Sequence, residues 1–291
     1  MSTWQEDWLI GSKGLHHGQI GGAWERIGAC EYGISDILRE PHRIVVAAAW
    51  GSGLWEWSFE TAEWRQLHDE TLTEVITIAP IDGDPGILAG SPYGVAVAQR
   101  DSLGAARWTP LSDNLRVNER YTNALLVHPS EPSSWLVATE AGVLLAHENG
   151  TRWERTSLSG EPCRALLHAH GAFWAGTDTQ GVWRSTDGLR WDPVGSTVEG
   201  GAIFHLAACD DRMLAATERG LAIGDGSGVW IRSGPRALFA TVAAHPEDPS
   251  LWLAGAAPGG LWSTDNAGQS WRQIPGFVSV WSILPPERKQ R

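Results

Sequence analysis

The chain has 291 residues with a formal net charge of -12, 42% hydrophobic and 19% charged residues, and 34 Gly, 16 Pro and 18 Trp. That composition belongs to a folded, turn-rich protein rather than a disordered one. The acidic balance argues against nucleic acid and anionic membrane as partners, since both are met by basic surfaces.

The amino terminus, MSTWQEDWLIGSKG, has no basic start followed by an apolar run, and no stretch approaches the roughly 18 apolar residues of a membrane helix. A cytoplasmic location is the expectation. Cys30, Cys163 and Cys209 have no C-x-x-C spacing, so neither a disulfide framework nor a zinc site is indicated. No metal and no other cofactor is expected.

Taken in chain order, the elements repeat. A Gly-hydrophobic step stands at Gly14, Gly53, Gly94, Gly142, Gly181, Gly220 and Gly260, at spacings of 39, 41, 48, 39, 39 and 40 residues. Each glycine is followed after 10 to 14 residues by a tryptophan: Trp24, Trp64, Trp108, Trp153, Trp191, Trp230 and Trp271. Before each glycine lies a short apolar segment (WLIGS, IVVAAA, GILAGS, WLVATE, FWAGTD, MLAATE, LWLAGA). Before that comes a second segment (SDILRE, EVITIA, NALLVHP, RALLHAH, FHLAAC, ATVAAHP) in every unit except the first. Each unit therefore predicts four short strands, A to D, bounded by turn residues.

Four strands per roughly 40 residues is the period of a propeller blade. The sequence predicts an all-β fold, a seven-bladed β-propeller forming a single domain over residues 1–291. The first unit lacks its A strand, and VSVWSIL, residues 278–284, supplies a spare one. Pairing the two closes the ring and removes both free sheet edges.

STDGLRW (185–191) and STDNAGQSW (263–271) fall between the C and D strands of units five and seven. In both, the Asp is expected to accept backbone hydrogen bonds of the turn, and the Trp to pack inward. One carboxylate per turn is too few for a calcium loop. These stretches resemble the Asp-box, or bacterial neuraminidase repeat. The wider unit VAAHPEDPSLWLAGAAPGGLWSTDNAGQSWRQIP is similar to repeats of sortilin-type receptors, photosystem II assembly factors and xyloglucan-cleaving hydrolases. The resemblance implies architecture and leaves the activity open.

Each activity in that group implies features that can be sought here. A sialidase implies six blades, three arginines and a Tyr nucleophile paired with Glu, whereas this chain has seven units and only Tyr32, Tyr93 and Tyr121. The xyloglucan hydrolases imply a cleft between two propellers, and the repeats here make one. Photosystem assembly factors imply a lipidated or targeting start and a basic patch, and neither is visible.

In such a ring the D-to-A and B-to-C loops share one face and the mouth of the channel. Ligand contacts are expected there from Trp50, Tyr93, Tyr121, Arg164, Phe239 and Trp281, with His16, Tyr32, Asn123, Asp178, Phe204 and Arg219 on the same face. Trp50 and Trp281 come from adjacent blades and are expected to flank one pocket. Two functions stay open. The first is a binding module for a small molecule, glycan or protein partner, working as a monomer or weak homo-oligomer. The second is a hydrolase, lyase or cyclase at the same mouth, with Asp36, Glu74 or His205 as acid or base. Loop 109–123 belongs to the longest unit and lies on this rim. His128, His170 and His245 read as caps of the A-to-B turns on the opposite face.

Overall fold

The computed structural model describes residues 4–48, 51–82, 86–100, 105–194 and 201–288. They form seven four-stranded antiparallel sheets. The innermost strands are Ser282–Leu284 in blade 1, then Ile34–Glu40, Thr77–Pro80, Thr122–Val127, Cys163–Ala169, Ile203–Cys209 and Phe239–Ala244 in blades 2 to 7. Each contacts the next, and the seventh contacts the first, so the ring is closed. Closure comes from the carboxyl end as expected: Ser282, Ile283 and Leu284 pair antiparallel with Gly11, Ile10 and Leu9.

The repeated residues each have a physical duty. All seven repeat glycines lie at positive φ, between 67° and 144°, at the entry to strand C. At Gly142 a Cβ would sit 2.2 Å from the Leu158 carbonyl, so geometry and space both demand glycine. In four blades a hydroxyl at the end of strand B closes this turn: Ser91, Thr139, Thr177 and Thr217 donate to the carbonyls of Gly94, Gly142, Gly181 and Gly220 at 2.8–3.0 Å.

Five of the seven repeated tryptophans stitch neighbouring blades together. Nε1 of Trp64, Trp108 and Trp153 donates to the carbonyls of Ile27, Leu67 and Leu111, each three residues beyond the tryptophan of the preceding blade. Trp271 reaches the Ser233 hydroxyl instead, and the Trp191 backbone exchanges hydrogen bonds with the Ser157 hydroxyl. One residue type thus supplies apolar area and an inter-blade hydrogen bond. At the A-to-B turns, Nδ1 of His128 accepts from the Ser130 N–H, and that of His245 from Glu247 and Asp248.

The two Asp motifs differ. In blade 5, Asp187 Oδ1 accepts the N–H groups of Leu189 and Arg190 at 2.8 Å, as expected. In blade 7 that expectation is corrected: Asn266 Oδ1 accepts from Ser270 N–H, and Thr264 Oγ1 from Gly268 N–H. Asp265 points outward and forms an exposed ion pair with Arg272 at 2.7 Å. The reason is one extra residue, Ala267 at φ 54°, between the acceptor and the glycine. Asn266→Ala should therefore lower stability by about 1 kcal/mol, and Asp265→Ala by less than about 0.5 kcal/mol. Urea denaturation of the two variants checks this, and the opposite order would return the turn to Asp265.

Candidate functional site

A β-bulge at the start of the inner strands builds the channel mouth. Register skips one residue at Ser35, Asn123, Arg164, Phe204 and Ala240 in blades 2, 4, 5, 6 and 7. Ile76 and Trp281 take the same place in blades 3 and 1, where their N–H groups bond to the B-strand carbonyls of Gly90 and Gly11. A bulged residue has no cross-strand partner and its side chain is re-aimed. All seven are half-buried. Arg164 Nη1 donates to Asn123 Oδ1 at 3.3 Å, so the bulged side chains of blades 4 and 5 meet at the mouth.

Going round, the mouth reads Trp281, Ser35, Ile76, Asn123, Arg164, Phe204 and Ala240, blades 1 to 7. Its polar sector centres on Arg164. The guanidinium is bidentate to Asp178 at 2.8 and 2.9 Å and also holds Glu140 Oε1 at 2.8 Å. Asn123 Nδ2 donates to the same Glu140 oxygen. Hydrogen bonding to Asp178 raises the Arg164 pKa above its ordinary value, so the group is permanently charged. The three side chains are 24–32% exposed: held in place, yet reachable.

Tyr121 lies beside Arg164 and contributes to its electrostatics. Its position comes from the long loop, whose one-turn helix, Val117–Arg120, is pinned by the buried carboxylate of Glu119. Arg155 donates to both Glu119 oxygens at 2.7 and 2.8 Å. Hydrogen bonds from Arg155 and the Arg116 N–H outweigh the effect of burial and lower the Glu119 pKa.

Arg164, Tyr121 and Trp281 therefore stand at the mouth or next to it, and Trp281 is half-buried. Trp50 lies outside the described residues, so the pairing expected between it and Trp281 does not enter the site. Tyr93 is 73% exposed at the tip of a B-to-C turn. It shares a cleft of about 80 Å³ with Glu74 and Leu72, apart from the Arg164 cluster. Phe239 is corrected: it is 0% exposed and packs with Leu214, Trp252 and Ala254 between blades 6 and 7. It precedes the bulge at Ala240, and strand alternation turns it into the core.

Asp36 and His205 each follow a bulge and face the next blade. Asp36 accepts from Ile37 N–H, Ile78 N–H and Thr77 Oγ1 at 2.8–2.9 Å. Burial nevertheless pushes its carboxyl above the usual carboxylate range. His205 is half-buried, and desolvation of its imidazole holds the pKa down at about 4 against a hydrogen bond with the Val242 backbone. Its Nδ1 is sealed from solvent without a partner. Both residues are inter-blade groups.

The residues that sequence reasoning missed are Glu140 and Glu218. A signal existed: three successive B strands end in hydroxyl-then-acid pairs, Thr139-Glu140, Thr177-Asp178 and Thr217-Glu218. A larger open groove of about 650 Å³ lies on the outer rim between the D strands of blades 2 and 3, lined by Arg65, His68, Asp69 and Arg107. Among the described residues no group of three His, Cys, Asp or Glu side chains could hold a metal ion.

No protein-family model matches the sequence, and no curated protein matches it. Solved structures do match. The chain is a seven-bladed β-propeller in fold. It is similar to the GH74 xyloglucanase from Xanthomonas campestris at 16% identity and a TM-score of 0.65, over 92% of this chain and 46% of that one. It is also similar to the extracellular domain of a hybrid two-component system from B. thetaiotaomicron, at 14% identity and a TM-score of 0.67, over 94% and 36% of the two chains. The computationally designed Ika8 protein matches at 16% identity and a TM-score of 0.59, over 95% and 80%. The chain thus spans under half the length of the first two.

Proposed function

We propose that the protein is a binding propeller that takes a small organic or glycan ligand at the mouth formed by the D-to-A and B-to-C loops. The observation that carries this reading is the division of the bulge ring. Arg164, Asn123, Glu140 and Asp178 make a fixed polar sector, and Phe204, Ala240 and Trp281 follow it in the next three blades, so that an aromatic sector adjoins the polar one. A few oriented polar groups beside aromatic faces are the usual equipment of a small-molecule site.

Binding is favoured over catalysis because the candidate acids and bases are engaged elsewhere. Asp36 and His205 face neighbouring blades, and Glu74 lines a separate cleft. The two mouth carboxylates share one guanidinium. Proteins similar in fold are, by their names, a xyloglucanase and the extracellular domain of a hybrid two-component system, and this fits a ligand-binding face.

The test is a screen of neutral oligosaccharides and small amines by ligand-observed NMR, followed by calorimetry of each hit. Trp281→Ala and Arg164→Ala should each weaken a hit by about thirtyfold or more, the loss commonly seen when a packed aromatic or a buried charge partner is removed. Trp281→Ala should leave the melting temperature nearly unchanged. Unaltered affinity in both variants would remove the site from the mouth.

A further inference from the structure

Three successive blades carry a carboxylate at the same structural place, directly after the last paired residue of strand B: Glu140, Asp178 and Glu218. The equivalent residues elsewhere are Lys13, Pro92 and Ala257 in blades 1, 3 and 7. In blades 4 and 5 the bulged side chain bonds to the carboxylate of its own blade. Asn123 donates to Glu140, and Arg164 donates to Asp178 and also back to Glu140. A guanidinium therefore sits between the carboxylates of two neighbouring blades.

The third repetition breaks the pattern. In blade 6 the bulged residue is Phe204, which has no donor, so this blade supplies no guanidinium to bridge Asp178 and Glu218 and offers an aromatic side chain at that ring position. Glu218 is about half exposed with its carboxylate against Gly201, and among the described residues its ion pair is a loose one with its exposed neighbour Arg219, at 3.8 Å. Such a surface pair contributes little. His205, the next residue, is neutral at pH 7 because burial lowers its pKa to about 4, so it adds no competing positive charge. On the far side of Phe204 follow Ala240 and Trp281, a small residue and a second aromatic face.

We propose that the blade 6 sector of the mouth binds an organic cation, a guanidinium or ammonium group placed over Phe204 between Asp178 and Glu218, where it repeats the placement of the Arg164 guanidinium one blade further round. The inference rests on the mouth being the ligand site and names the ligand's chemical class. Charge complementarity supports it: three carboxylates face two arginines in this arc, Arg164 and Arg219. An aromatic face with flanking carboxylates favours a cation over a neutral or anionic group. Arg164 is in effect a ligand that the chain supplies to itself in blade 5. The rest of a larger ligand would extend over Ala240 toward Trp281.

Agmatine is the probe, with methyl β-D-glucopyranoside and benzoate as neutral and anionic controls, titrated by calorimetry at low salt into the full-length chain. Agmatine should bind at least tenfold tighter than either control. Glu218→Gln, an exposed change that leaves the fold alone, should weaken it at least fivefold. Phe204→Arg should place an internal guanidinium in the site and abolish agmatine binding with the melting temperature unchanged or raised.

Wild-type protein that binds agmatine no better than the glucoside overturns the inference, and so does a Glu218→Gln variant with unaltered affinity. Neither result touches the mouth reading, which is decided separately by the loss or retention of any neutral hit in Trp281→Ala. Agmatine affinity that survives Phe204→Arg in a folded variant would also overturn the inference, by placing the cation elsewhere.

Discussion

A chain ending at Phe277 should lose cooperative folding altogether. Deleting residues 278–291 removes the innermost strand of blade 1 and with it the side chains of Val280 and Ile283, which are 0% and 7% exposed among Trp8, Ile10, Ala243, Leu253 and Leu261. Their burial alone is worth about 3–6 kcal/mol, a large share of the roughly 5–15 kcal/mol by which a protein is stable. Further bonds vanish: Ser282 Oγ to the Ile34 carbonyl, Arg39 Nη1 to the Pro285 carbonyl, and Glu287 N–H to the Gln5 carbonyl. Strand Trp8–Ser12 would then present an unpaired inner edge toward the channel, open to pairing with another molecule. Circular dichroism melts and size-exclusion chromatography should show a lost or non-cooperative transition and aggregated material. A truncated monomer with the wild-type midpoint would mean that the ring holds without its closing strand.

What the sequence showed and what it hid follow from one distinction. Gly14 to Gly260 and Trp24 to Trp271 were legible because each does the same job in every unit, a positive-φ turn or a ring packed at the seam with the preceding blade, so the same letter recurs at the same period. The mouth was only partly legible because a bulge is a relation between two strands. Arg164, Phe204 and Ala240 share a structural place and no chemistry, and nothing in the letters marks them as equivalent. Phe239 was drawn to the mouth by its neighbour; one step along a pleated strand reverses the face. The motif in blade 7 misled for the opposite reason: its letters match those of blade 5 while the count to Gly268 does not, so Asn266 inherits the part assigned to Asp265. Glu140 and Glu218 could have been found, since the hydroxyl-acid pair recurs at the same distance before its glycine in two of the three blades.

Acidification should weaken the native protein through His205 more than through any other single imidazole for which a shift is resolved. The ring is shielded between inner strands, with desolvation as the dominant influence and the Val242 backbone as the sole counterweight. Its folded-state pKa of about 4 lies below the unfolded value near 6.5. The neutral imidazole therefore stabilises the native state; this contribution is complete above pH 6.5 and is lost as pH falls toward 4. The span corresponds to about 3 kcal/mol. Asp36 acts in the opposite sense: its raised pKa gives a contribution that is present below the ordinary carboxylate value and lost as pH rises through the folded one. A bare stability-pH curve mixes the two, so the measurement is a difference between wild type and His205→Gln. The Gln amide nitrogen can take over the Nε2 bond, and the variant leaves unchanged an Nδ1 side that has no partner to lose. Near pH 7 the two proteins should differ little in urea midpoint. By pH 4 the glutamine variant should be the more stable by about 3 kcal/mol. A constant difference across that range would show that the imidazole takes up its proton without cost, and that His205 reaches water or a carboxylate when charged.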